Sequence, residues 1–248
     1  MNIFDLIPDS EIKRLVGPFF DKERYYSAGK HETKRYIDLS GIKPNFHVLD
    51  IGCGCGKMAI HFSEYLSKQG LYTGIDSNKL LLDYCVEKIQ PYFDNFAFHY
   101  MDVFNGYFSP NGKVVVKDVR FPLEDSSVDV VIANSLFTHM YLEDVGFYLK
   151  EIFRVLKPKG KVAATYFLLN KISEKAIEMK LSSFNFNFPV GKYSKTYYPQ
   201  IPELGLSHNE EDINAQYMQN GMKILNTQYG GWICKNEENL QDLIIAEK

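Results

Sequence analysis

Cysteine and tryptophan are scarce: four cysteines (Cys53, Cys55, Cys85 and Cys234) and one tryptophan in 248 residues. So few thiols in so long a chain exclude a disulfide-built fold, which belongs to short, cysteine-dense secreted domains. Cys53 and Cys55 are separated by one glycine, a tighter spacing than paired zinc ligands adopt. Both read as small residues in a crowded turn, and no metal is expected. No apolar stretch reaches the roughly 18 residues of a membrane span. The start of the chain, with Asp5, Asp9 and Glu11, lacks the basic and then apolar order of a signal peptide. A cytoplasmic protein without a membrane partner is expected. An excess of basic charge is also missing. The net charge of −3 argues against a nucleic-acid protein that grips phosphate through a basic face. There are no internal repeats and no low-complexity linkers, and nothing in the sequence sets an oligomeric state.

What is present is an ordinary globular composition. With 45% hydrophobic and 24% charged residues, the chain can build one large single domain, 1–248, around a full core. Residues 1–40 precede the first clear strand and read as a helical extension, with helices at 11–16 and 30–39. Phe19 and Phe20 between them are candidates either for core packing or for closing over a ligand. From Val48 onward the pattern becomes strand, helix, strand, helix. Strands are expected at 47–51, 71–75, 97–101, 129–133 and 161–167, with helices at 57–68, 77–90 and 142–156. A small extra strand is expected at 114–116. Residues 169–215 read as an insertion after the fifth strand. Its Phe184, Phe186, Phe188, Tyr193, Tyr197 and Tyr198 are expected to cap a pocket. A helix at 210–220 and two strands, 222–228 and 242–246, follow. No helix of crossover length separates those two strands, so they form an antiparallel pair. Alternating strands and helices imply an α/β fold: a Rossmann-like, doubly wound, seven-stranded sheet, mostly parallel, with helices on both faces.

The chain is organised around VLDIGCGCG, residues 48–56. A buried strand runs into Gly52, Gly54 and Gly56 and then into a helix N-terminus. Bare backbone at a strand's carboxyl end builds a nucleotide pocket. The G-x-G-x-G spacing lacks the two-residue gap of the dinucleotide fingerprint. Asp50, just before the loop, would repel a diphosphate and suits an amine-bearing ligand. Both features argue against a nicotinamide-dependent oxidoreductase.

These residues resemble the first signature of the class I S-adenosylmethionine (SAM) dependent methyltransferases. The second strand ends at Asp76, the third leads to Asp102, and FPLEDSSVD (121–129) opens the fourth. The helix running into VLKPKG (155–160) resembles the family's post-strand motif. The likeness covers roughly residues 40–168. The extension and the tail resemble a bacterial subset of such enzymes. The resemblance implies that Gly52, Cys53, Gly54 and Gly56 carry the amino acid end of SAM and that Asp50 reaches its ammonium group. It implies that Asp76 accepts the ribose hydroxyls, a role that a strand-two acid takes in nucleotide folds. Asp102, with the Val103 N–H, would bind adenine, lined by Ser77, Asn78 and Leu80. Asn134 and Ser135 would face the methionine portion and the acceptor. The product would be S-adenosylhomocysteine.

Methyl transfer to a hydroxyl needs an aligned acceptor and a base. His139, just past the fourth strand, is the first candidate, and an imidazole titrates near neutrality. Tyr166 is the second, and His208 could approach from the insertion. The expected activity is methylation of a small molecule, with oxygen as the narrower reading of the methylated atom; a non-enzymatic SAM-binding regulatory or accessory module is the alternative. No Asn-Pro-Pro-Tyr motif follows the fourth strand, where the sequence is NSLF (134–137), so methylation of a nucleobase amine is not expected.

Overall fold

The apolar run of the first strand lies at the centre of the molecule, in a computed structural model that describes residues 3–17, 19, 21–235 and 239–248. Strand β1 (His47–Ile51) pairs in parallel with β2 (Leu71–Asp76) on one side and β4 (Val128–Ala133) on the other. β3 (Phe96–Tyr100) extends the sheet beyond β2, and β5 (Leu156–Tyr166) extends it beyond β4. β11 (Asp242–Glu247) runs antiparallel to β5, and β10 (Lys223–Gln228) runs antiparallel to β11. The order is β10-β11-β5-β4-β1-β2-β3. The chain reverses its direction of growth across the sheet between β1 and β4, and a crevice opens there at the strands' carboxyl ends.

Both faces of the sheet are covered, which is why β1 and β4 read as nearly continuous apolar runs. Leu49, Ile51, Val131 and Ala133 pack with Val145, Leu149 and Ile152 of α5 (Leu142–Val155) and Ile213 and Tyr217 of α7 (Glu210–Gln219). Val48, Val130 and Ile132 pack on the other face. Their partners come from α2 (Lys22–Ser40), α3 (Lys57–Tyr65) and α4 (Lys79–Lys88). Each fully buried Leu, Ile or Val on these faces contributes about 1.5–3 kcal/mol.

The leading segment departs most from expectation. A 3-10 turn (Ile3–Leu6), the four-residue α1 (Ser10–Lys13) and a 3-10 turn (Arg14–Val16) precede α2. α2 starts eight residues earlier than the pattern predicts, because the Asp21 side chain caps it by accepting the Arg24 N–H. Gly29 is required inside it. A Cβ there would stand 2.9 Å from the His61 ring and from the Lys57 carbonyl oxygen, so α2 and α3 approach only because it is absent. Phe19 is buried, whereas Phe20 lies outside the described residues. The 114–116 strand is only an isolated bridge between Val103 and Val114, followed by a 3-10 turn (Val116–Asp118).

The insertion after β5 is also different. It contains α6 (Lys171–Glu178) and a second sheet. That sheet has the order β6 (Leu168–Leu169), β9 (Leu206–Asn209), β8 (Ser194–Thr196) and β7 (Phe188–Val190). Phe184, Phe186 and Tyr197 do not roof the crevice. They pack with Phe167 and Trp232 in a separate apolar cluster. The Trp232 indole N–H donates to Asp242 Oδ2 at 2.9 Å, which satisfies its polar atom inside that cluster. Among the described residues no helix is long and apolar enough to cross a membrane.

Candidate active site

The glycine loop leaves the tip of β1 with φ of 77°, 55° and 80° at Gly52, Gly54 and Gly56, a left-handed path that glycine takes without strain. Backbone bonds hold it against β2: the N–H groups of Gly52 and Cys53 donate to the Ile75 carbonyl at 2.8 and 3.2 Å. Asp76 then joins two loops. Its Oδ2 accepts the Gly54 N–H and its Oδ1 the Asn78 N–H, both at 2.7 Å. Burial pushes the Asp76 carboxyl up, and the N–H bonds from Asn78 and Gly54 oppose the shift. Each carboxylate oxygen keeps a lone pair for a ligand hydroxyl.

The thiols of this loop are packing groups. Cys55 and Cys85 are fully buried, and the Tyr25 hydroxyl is 3.2 Å from Cys55 Sγ. Burial pushes the Cys55 thiol up to about 12, the opposite of what a nucleophile or metal ligand needs.

Across the crevice, Asn134 at the tip of β4 accepts the Tyr36 hydroxyl at 2.8 Å and donates to Glu32 Oε2 at 3.2 Å. Glu32 Oε1 is paired with Lys57 Nζ at 2.8 Å. Ser135 is held at φ 56°, a conformation that costs a non-glycine residue roughly 1–2 kcal/mol. Its N–H donates to Thr165 Oγ1 at 2.7 Å, and its hydroxyl accepts from Gln241 Nε2 at 2.6 Å. His139 Nδ1 is 2.8 Å from the Glu203 carbonyl oxygen. A carbonyl only accepts, so Nδ1 carries the proton and Nε2 presents a lone pair. Burial lowers the His139 pKa, and the Glu203 bond only partly offsets this, so the ring is neutral at pH 7.

These groups surround one cavity of about 860 Å³, within the size range of small-molecule sites. Of the residues expected from sequence, Gly52, Cys53, Gly54, Asp76, Ser77, Val103, Asn134, Ser135 and His139 line it, as does Asn78. Asp50, Gly56, Asp102 and Tyr166 do not. Asp50 is 1% exposed, and its Oδ2 accepts the Tyr72 hydroxyl at 2.6 Å while Oδ1 has no hydrogen-bond partner among the described residues. Strand alternation turns it toward the α2–α3 face, below the cavity floor. Gly56 faces Ile89 and Cys85. Asp102 turns toward the Tyr100 hydroxyl, and the Val103 N–H is taken by the Met101 carbonyl at 2.7 Å.

Tyr166 is fully buried, with its hydroxyl 2.8 Å from that of Tyr217 and its ring stacked on Phe137, so no acceptor reaches it. His208 is equally enclosed between Ser194 and the Phe137 carbonyl. Leu80 is 58% exposed, and its neighbour Leu81 lines the cavity instead. No residue of the 169–215 insertion is among the cavity's lining. The wall that sequence reasoning missed is α2, through Ala28, His31, Glu32 and Arg35, joined by 239–241. Positions 28, 31, 32 and 35 stand at i, i+3, i+4 and i+7, so one helical face was the available signal.

The fold and the crevice define a Rossmann-like nucleotide-binding enzyme architecture with a glycine loop on β1 and an acid on β2. The sequence profile of a methyltransferase domain matches residues 42–205, and the chain belongs to that family, in its class I SAM-dependent group. It is 26% identical over 176 residues to a demethylmenaquinone methyltransferase of Lactobacillus johnsonii, covering 65% of this chain and 63% of that protein. A sterol 4-C-methyltransferase of Caenorhabditis elegans is 29% identical over 148 residues, 59% of this chain and 39% of that one. The chain thus spans less than two thirds of the length of these relatives. Among solved structures, a 1,6-didemethyltoxoflavin-N1-methyltransferase of Burkholderia thailandensis with bound S-adenosylhomocysteine shares the fold. The TM-score is 0.57 at 16% identity, with 90% of this chain and 79% of that chain covered.

Proposed function

We propose that the chain transfers a methyl group from SAM to a small-molecule acceptor, at oxygen. The observation that carries this reading is the convergence of the bare Gly52–Gly54 backbone, the Asp76 carboxylate and the neutral His139 ring on one cavity. The residues fit the donor. A Cβ at Gly52 would enter the space beside Leu136, so its absence leaves room for a ligand against the backbone. Asp76 has lone pairs for the ribose hydroxyls, and Ile75, Leu81, Met101 and Val103 offer an apolar slot for adenine. When bound, SAM supplies a methyl carbon made electrophilic by its sulfonium.

His139 is the proposed base. With Nδ1–H held by the Glu203 carbonyl, Nε2 is free to take a proton from an acceptor hydroxyl. A ring whose pKa burial has lowered is a weak base, which favours an acidic hydroxyl such as a phenol or enol. The relatives named for menaquinone and sterol chemistry support a small acceptor, and one of them is named for transfer to carbon. Product analysis therefore has to identify the methylated atom.

Calorimetry with S-adenosylhomocysteine tests the donor site. Absence of binding at millimolar concentration sinks the proposal. His139→Ala is expected to bind S-adenosylhomocysteine normally and to lose turnover on hydroxylated acceptors by about 100-fold or more. Unchanged turnover removes His139 from the mechanism.

A further inference from the structure

α2 brings to the cavity a charge that forms no ion pair among the described residues. Glu32 is neutralised, with Lys57 on one oxygen and the Asn134 amide on the other. Arg35, one turn further on, makes a single side-chain hydrogen bond among the described residues, from Nη2 to Gln228 Oε1 at 3.3 Å, and that partner is a neutral amide. Among the described residues Arg35 forms no ion pair. Asp242, which lies near it, is turned to other donors and makes no bond to Arg35: its Oδ1 accepts the Gly230 N–H and its Oδ2 accepts the Leu168 N–H and the Trp232 indole N–H. Burial lowers the guanidinium pKa, and the Glu32 and Asp242 carboxylates, which make no hydrogen bond to it, oppose that shift only in part. A guanidinium has five N–H donors in a rigid fork, and among the described residues only one of them is taken.

We infer that Arg35 holds the acceptor and that the acceptor carries a carboxylate, an inference that rests on the methyltransferase reading above. The position of Arg35 favours the acceptor over the donor. Its neighbours Gln228 and Asp242 belong to β10 and β11, four and three strands away from β1 in the sheet order. At about 4.8 Å per strand these lie roughly 14–19 Å from the glycine loop. The charge count favours a monoanion. Lys57 is committed to Glu32, and His31 is exposed and bonded to Asn239 at 3.3 Å. One open planar fork matches one carboxylate in a bidentate pair, whereas a phosphate dianion would need a second cation. Leu136 and Leu240 supply apolar wall for the acceptor's body.

The test uses the full-length protein in two stages. First, S-adenosylhomocysteine affinity is measured by calorimetry for the wild type, Arg35→Gln and Arg35→Lys. Then the S-adenosylhomocysteine complex is titrated with sodium benzoate and with benzamide, its uncharged counterpart, by NMR in the millimolar range. The wild type is expected to bind benzoate and to discriminate against benzamide. R35Q is expected to keep its S-adenosylhomocysteine affinity and to bind benzoate about 30-fold more weakly, the scale for removing one partner of a desolvated charge pair. R35K, with charge but no fork, should fall between them. Equal binding of benzoate and benzamide, or unchanged benzoate binding by R35Q, overturns the inference alone. Loss of S-adenosylhomocysteine affinity in a folded R35Q also overturns it, by assigning Arg35 to the donor's own carboxylate. Failure of the wild type to bind S-adenosylhomocysteine removes the methyltransferase reading and this inference with it.

Discussion

Alanine placed at two glycines of the same loop should fail in two different ways. Gly52 and Gly56 are both left-handed, at φ 77° and 80°, so each substitution costs roughly 1–2 kcal/mol of backbone strain. Their surroundings differ. A Cβ on Gly52 meets only the Leu136 side chain, at 3.5 Å from Cδ1 and 3.9 Å from Cβ, ordinary contacts, so the fold accepts it. The same methyl projects into the cavity where the donor is proposed to lie. A Cβ on Gly56 points away from the cavity and overlaps Ile89 Cδ1, with Cys85 Sγ at 3.2 Å. Overpacking there adds about 1–3 kcal/mol. For a chain of this length about 1 kcal/mol moves the melting temperature by roughly 2–4 °C. Gly52→Ala should therefore melt about 2–8 °C lower and bind S-adenosylhomocysteine at least about tenfold more weakly, the scale of one misplaced methyl in a close-packed site. Gly56→Ala should melt roughly 4–20 °C lower while its folded fraction binds almost as well as the wild type. Differential scanning fluorimetry and calorimetry on both variants decide the matter. Wild-type affinity in Gly52→Ala, or lost affinity at an unchanged melting temperature in Gly56→Ala, refutes the assignment of the two roles.

Two further outcomes follow from buried groups. Asp50 is held up to about 7 against an ordinary 3.8, chiefly by burial, so the folded state keeps a proton that the unfolded chain releases. Its contribution is complete below pH 4 and is lost as pH rises to about 7, amounting to at most about 4 kcal/mol. Urea denaturation of Asp50→Asn at pH 4, 5.5 and 7.5 should lack that decline, and pH profiles parallel to the wild type would contradict it. Phe186→Ala should destabilise by about 3–5 kcal/mol, since the ring is fully buried against Phe167 and Trp232. S-adenosylhomocysteine affinity should not change. A change in acceptor KM without a loss of stability would restore the aromatic segment to the pocket wall.

The α/β order, the position of β1 at His47–Ile51 and the tight turn of the glycine loop were legible in the chain itself. Those features rest on local causes. A run of buried apolar residues makes a strand, and glycine alone takes three left-handed turns within five residues. Asp76 was legible for the same reason, because a strand tip next to a glycine loop has only one edge of the sheet to face.

What the chain could not disclose is what faces what. Asp50, Asp102 and Tyr166 all sit near strand ends, where pattern places candidates. Pairing and side-chain direction then bury Tyr166 against Tyr217, sink Asp50 beneath the floor and turn Asp102 outward. The aromatic insertion has the composition of a pocket wall, yet its rings satisfy one another and Trp232, a contact across more than forty residues. α2 became the wall instead. Its closeness to the crevice depends on the absent side chain of Gly29 and on Tyr36, Glu32 and Arg35 meeting groups 25 to 193 positions away. Local sequence determines which elements form and where the backbone is bare. Long-range packing alone determines which of their side chains share the cavity, because each such contact is set by two segments at once.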